Sequence, residues 1–163
     1  MSDQHELTIS TVIDAHPAIV WQAWTSPELF EQWWAPSPLK TRLLAMDLQP
    51  GGAFDTEMTM ADDSKVASHG CFLEVVPYSR IVFTDAMTAG YVPAAEAFFT
   101  VIITMAAHVK GNRTSTEYHA RVLHKNAADK ERHMEMGFTE GWSICLKQLK
   151  ALAEAPEPCE HMV

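Results

Sequence analysis

At 163 residues the chain is long enough for one hydrophobic core, and a chain of this length buries roughly 70% of its unfolded surface. Apolar residues at 47% against charged residues at 20% exclude an intrinsically disordered chain. A formal charge of −9 with no run of Lys or Arg argues against nucleic acid and anionic membranes as partners, since both need a basic patch, and leaves a neutral or cationic small molecule in an interior pocket.

The opening "MSDQHELTIS" has neither a basic start nor an apolar stretch, so it does not read as a signal peptide. "ELTISTVI" at 6–13 alternates apolar and polar residues and predicts a first strand. Pro17 can open a short helix with Val20, Trp21 and Trp24 on one face. Ser26 and Pro27 restart it as cap and first residue, with Leu29, Phe30 and Trp33 apolar, and Pro36 and Pro38 end it. In "FEQWWAPSP" two adjacent indoles point about 100° apart on a helix, so one buried face cannot easily take both. Trp33 is expected inward, with Trp34 on the rim, exposed, or against a neighbouring subunit.

Strands are predicted at 41–48, 53–60, 66–76 and 80–85, separated by the turn sequences "QPGG", "ADDS" and "VPYS". After the looser "MTAGYVPAAE" come two longer strands, 97–109 and 114–123, with Gly111-Asn112 as the hairpin turn. From Ala127 the period lengthens. Met134, Phe138, Gly141, Trp142, Cys145, Leu149 and Leu152 describe one amphipathic helix running to Leu152. The expected organisation is one domain over 1–153, with 154–163 a frayed acidic tail. A curved antiparallel sheet needs its apolar face covered, and this helix is long enough to do it. A gap between the two is the natural ligand site.

Chemistry-bearing motifs are sparse. There is no GxSxG elbow, CxxC, HExxH or phosphate-cradling glycine loop. His119, His124 and His133 lack ligand spacing, so no metal and no cofactor are expected. Cys71, Cys145 and Cys159 are odd in number and widely spaced, which fits reduced thiols and a cytoplasmic location. No segment approaches the ~18 apolar residues of a membrane span.

"VWQAWTSPELFEQWWAP", "DLQPGGAFDTEM", "GCFLEVVPYSRIVFT" and "MGFTEGWSICLKQLKAL", in this order, resemble the heat-shock-protein ATPase activator-like family of the START/Bet v 1-like helix-grip superfamily. The resemblance implies an α+β helix-grip fold with an internal apolar cavity and no shared catalytic apparatus. Relatives range from lipid or polyketide binders and cyclases to co-chaperone domains. Gln49 stands where the family usually has an arginine before Pro-Gly-Gly, so a charged contact by that residue does not carry over.

The expected cavity wall draws Phe30 and Trp33 from the second helix and Phe54 and Met58 from the third strand. Val101, Ile103 and Tyr118 come from the long hairpin, and Phe138, Trp142 and Cys145 from the last helix. Residues 66–76 allow two readings. Cys71, Leu73 and Val75 inward would bring His69 in; the alternative turns Gly70, Phe72 and Glu74 in, and a bulge would mix them. Gly141, in mid-helix, costs about 1 kcal/mol relative to alanine and calls for compensation by close packing or by room for a ligand.

Three functional readings follow. The first is non-enzymatic binding of a small hydrophobic or aromatic molecule between sheet and helix. The second is a cyclase- or hydrolase-like enzyme using His69 with Tyr118 inside one pocket. The third, from the family name, is a co-chaperone module with an exposed patch near Trp34. A homodimer is left open.

Overall fold

The computed structural model describes residues 5–155. Strand β1 (Glu6–Ile13) leads into helix α1 (Pro17–Thr25) and the single turn α2 (Pro27–Phe30). His16 caps α1 by accepting the Ala18 amide at 3.1 Å, and Pro17 takes the first position, where no amide hydrogen is needed. Strands β2 (Lys40–Met46), β3 (Ala53–Thr59), β4 (Lys65–Val76) and β5 (Arg80–Thr84) follow. The looser stretch holds a two-stranded ribbon, β6 (Met87–Thr88) and β7 (Val92–Pro93). Then come β8 (Phe99–Lys110), β9 (Arg113–His124), α3 (Ala127–Glu135) and α4 (Phe138–Glu154).

Seven strands form one antiparallel sheet in the order β1-β9-β8-β5-β4-β3-β2. Lys110 pairs with Arg113, so Gly111 and Asn112 make the predicted two-residue turn. The inward alternation of the long hairpin follows the pattern. Val101, Ile103 and Met105 on β8 and Thr116, Tyr118, Ala120 and Val122 on β9 are all buried. Leu146, Leu149 and Ala153 of α4 join the same buried cluster, so the last helix covers the sheet in a helix-grip arrangement. No helix among the described residues is long and apolar enough to cross a membrane.

Three expectations are corrected. The second helix ends at Phe30 instead of reaching Pro36, and residues 31–35 turn without continuing it. The helix expected over 127–152 is two helices, because Gly137 takes φ +92°, a left-handed conformation that glycine adopts without strain. Met134, read as part of the buried stripe, is 48% exposed; the break ends its phase relation with Phe138, and His133 is buried instead. Of the tail expected over 154–163, Glu154 lies in α4, and 156–163 fall outside the described residues.

In β4 both readings are partly realised. Consecutive Cys71 and Phe72, on opposite faces of the strand, are both fully buried; a register shift follows between Phe72 and Glu74, and Glu74 turns out to pair with Arg80 at 2.9 Å.

Candidate functional site

A cavity of about 500 Å³ lies between the sheet, the turn after α2, and helices α3 and α4. An engineered cavity of ~150 Å³ suffices for benzene, so this one has room for a two- or three-ring molecule. Its helical wall is the stripe Phe138, Gly141, Trp142, Cys145 and Leu146, spaced at three and four residues. The sheet supplies Phe54, Thr56 and Met58 from β3 and Tyr118 and Ala120 from β9. The exposed side chains Val66 and Met136 mark where it meets solvent.

The adjacent tryptophans both turn inward. Because α2 stops at Phe30, the turn lets Trp33 and Trp34 both join one aromatic cluster with Trp24 and Phe30. The Trp33 indole donates to the Ala23 carbonyl at 2.9 Å. Trp34, expected on the rim, is half-buried, stacks on Phe30 at 4.9 Å and lines the cavity. Gln148 of α4 holds this turn in place. Its amide donates to the carbonyls of Trp33 (3.2 Å) and Ala35 (2.8 Å), and its oxygen accepts the Ser37 amide at 2.9 Å.

Of the expected wall residues, Trp33, Phe54, Met58, Tyr118, Phe138, Trp142 and Cys145 line the cavity. Phe30, Cys71, Val101 and Ile103 do not: they are fully buried in the packed core behind it. Their alternation marks them as inward, but inward includes both packed core and open wall. His69 reaches the cavity margin, yet its ring lies 3.3 Å from Asp55 and its side chain is 57% exposed. His69 and Asp55 are cross-strand partners on the face opposite Phe54 and Gly70, so His69 and Tyr118 do not share a pocket interior.

The polar groups of the wall are few. The Tyr118 oxygen accepts the Trp24 indole N–H at 2.9 Å, and its own hydrogen has no acceptor among the described residues. Burial raises the Tyr118 pKa, so the phenol stays neutral and remains a donor. Burial likewise pushes the Cys145 thiol up to about 12, leaving it an apolar side chain and not a nucleophile. Asp85 carries the one formal negative charge on the wall among the described residues, and its Oδ1 accepts the Phe98 and Phe99 amides at 2.8 and 3.1 Å.

His133 was not among the expected site residues, since it stands one position off the stripe read through Met134. Its ring lines the cavity, is 7% exposed, and meets the His124 ring across a 2.9 Å hydrogen bond. Two histidines judged to lack ligand spacing thus come together where β9 meets α3. Among the described residues no group of three His, Cys, Asp or Glu side chains is placed to hold a metal ion.

Burial first, and the neighbouring His124 second, lower the His133 pKa from 6.5 to about 4. The unfolded chain therefore binds this proton near 6.5 and the native protein only near 4. Between those values stability falls as pH falls, and below about 4 the loss stops growing because both states are protonated. Thermal midpoints measured across this window should drop towards acid. The drop should be smaller in His133→Phe; equal slopes in the two proteins would rule out His133 as the cause.

No curated protein matches the chain. Solved structures do. A Nitrosomonas europaea protein is 32% identical, with a TM-score of 0.86 over 93% of this chain and 96% of its own. One from Chromobacterium violaceum is 25% identical, with a TM-score of 0.70 over 93% and 99%. One from Mycobacterium smegmatis is 24% identical, with a TM-score of 0.77 over 97% and 96%, and supports the fold alone. The family described as "Activator of Hsp90 ATPase homolog 1-like protein" matches residues 14–154. With its seven-stranded sheet gripped by a C-terminal helix, and a match spanning nearly all of that architecture, the chain belongs to the activator of Hsp90 ATPase homolog 1-like family.

Proposed function

We propose that the protein binds a neutral, mainly apolar or aromatic small molecule in the cavity between sheet and α4. Family membership supports a ligand-binding or co-chaperone-type module in general. Gly141 carries the narrower reading. A β-carbon built there meets nothing within 4 Å, so close packing, one of the two compensations expected, does not account for the glycine, which stands at the first turn of α4. The residue lines the cavity in the stripe with Phe138 and Trp142. A helical glycine that forgoes up to about 1 kcal/mol and leaves only space in return fits a need for ligand volume.

The wall is aromatic and sulfur-rich, which favours flat or adaptable apolar bodies. Asp85 and the overall acidity disfavour anions. We place the protein in the cytoplasm, on the ground that Cys71 and Cys145 are free thiols.

Trp33, Trp34 and Trp142 on the wall provide the readout. Titration with 2-naphthol or naphthalene should quench tryptophan emission saturably. At 100 times Kd, ligand adds about 2.7 kcal/mol, a rise in Tm of about 5 to 10 °C for a chain of this size. Absence of any saturable change with either compound would dispose of the reading. The co-chaperone reading rests on the family name; the exposed patch it expected near Trp34 is not supported by that ring, which is half-buried against the core and lines the cavity. The enzyme reading needed His69 inside the pocket, and its ring faces Asp55 and solvent.

A further inference from the structure

The polar wall of the cavity has a direction that follows from hydrogen-bond chemistry. Nδ1 of His124 lies 2.9 Å from the His5 carbonyl. A carbonyl oxygen can only accept, so His124 carries a proton on Nδ1. In the uncharged ring its Nε2 is then the acceptor. Nε2 lies 2.9 Å from Nδ1 of His133, which must therefore be the protonated nitrogen of that ring. The backbone of His5 thus dictates the tautomer of a side chain two hydrogen bonds away.

What remains is Nε2 of His133, unprotonated and without a hydrogen-bond partner among the described residues. Nδ1 of His5 and Oγ1 of Thr41 are fully buried without a partner; Nε2 of His133 is not, and keeps some accessible surface. Its ring is a cavity wall and is held on several sides by aromatic rings: Phe98 and Phe138 at 5.0 Å, Phe99 at 5.7 Å and Trp142 at 6.3 Å. A lone pair held in an apolar enclosure can accept from water while the cavity is empty, and a ligand that displaces the water and leaves the lone pair unmatched forgoes that hydrogen bond.

We infer that Nε2 of His133 is the acceptor that selects the cavity's ligand, and that the ligand class is an uncharged aromatic or polycyclic molecule bearing a hydroxyl or N–H donor. This rests on the binding function proposed above and specifies its chemistry. The donor of the ligand points to the α3 end of the cavity, towards His133. A carbonyl or ether oxygen elsewhere on the same molecule has a donor available in the Tyr118 hydroxyl. Carboxylates are disfavoured, because they present lone pairs to a lone pair and stand near Asp85.

The test uses three probes of one shape: naphthalene, 2-naphthol and 2-methoxynaphthalene. The first is smaller than the naphthol and the last larger, so size alone cannot favour the middle one. Expected for the unaltered protein is about tenfold tighter binding of 2-naphthol than of either control, the scale of one buried hydrogen bond. In His133→Phe the three should bind within about twofold of one another, because no lone pair is left to be matched or left unmatched.

Equal affinities in the unaltered protein, or a naphthol preference that survives in His133→Phe, would overturn the assignment while leaving the cavity as a binding site. Failure of all three probes to bind the unaltered protein would sink the binding function and this inference with it. Long-range 1H–15N spectra of the histidine rings give a second route that needs neither ligand nor variant. They should show Nδ1 protonated and Nε2 bare in both His124 and His133, and a protonated Nε2 on His133 in the uncharged ring would overturn the inference.

Discussion

Replacing Trp24 by alanine should lower stability by about 3 to 5 kcal/mol, the range for removing a large buried aromatic side chain. Trp24 is fully buried and is the hub of the aromatic cluster. Its ring lies 5.1 Å from Trp34, 5.2 Å from Trp33, 5.6 Å from Phe30 and 6.0 Å from Phe83. It also donates the hydrogen bond that orients the Tyr118 hydroxyl. The alanine variant therefore loses packing and leaves a buried oxygen without its donor. Against a total of about 5 to 15 kcal/mol, such a loss brings the protein close to unfolding at 37 °C. Trp24→Phe is the milder companion, since it keeps much of the aromatic packing and removes the N–H together with part of the ring. It should cost about 1 to 3 kcal/mol. Urea unfolding curves give both values, and a loss below about 1 kcal/mol for the alanine variant would contradict Trp24 as the hub.

Gly141→Leu should abolish binding of two-ring aromatics, with affinity down at least about tenfold, while the protein stays folded. The side chain would grow from a helix position where the nearest 4 Å is open, into the space a ligand would take. Gly141→Ala is the companion. It adds one methyl without a clash and removes the backbone freedom of glycine from the unfolded chain, so it should raise stability by about 1 kcal/mol. For a chain of this size that is about 2 to 4 °C in Tm. A destabilised alanine variant would mean that the backbone packs closely there after all. A leucine variant that binds naphthols normally would place the ligand elsewhere. The pair is informative because the two effects oppose each other: a better helix and a poorer site.

The architecture was legible because each of its elements carries a local signal. Alternation in "ELTISTVI" and in the hairpin strands named the buried faces, Gly111-Asn112 named the turn, and Pro17 and Pro27 named two helix starts. The four family phrases then tied these elements to one fold. The cavity was legible only in outline. Val101 and Ile103 share the inward face with Tyr118, yet they are core and Tyr118 is wall. Nothing in alternation distinguishes the two, since it reports only which side of the sheet a residue occupies.

Other differences come from places where the chain changes direction. Gly137 leaves the helical conformation, and beyond it the periodic stripe no longer predicts a common face, so Met134 is out and His133 is in. Adjacent Trp33 and Trp34 could both enter the interior because the helix that would have splayed them had already ended. In β4, His69 shares the face of its cross-strand partner Asp55, opposite Phe54 and Gly70, and only the pairing of neighbouring strands decided which face that was.

By itself, then, the amino-acid order determined the seven strands of the main sheet, the starts of the first two helices, the inward faces of the long hairpin and the family, because these depend on interactions within a few residues or on patterns repeated along one element. Only the tertiary structure decided that about 500 Å³ stays unfilled, that Trp34 faces it, and that His5, His124 and His133 form one hydrogen-bonded line. A void is the small difference between the volume enclosed and the volume filled by many side chains. A hydrogen bond between residues far apart in the chain needs their separation set to within a fraction of an ångström, and only the packing of all the elements together does that.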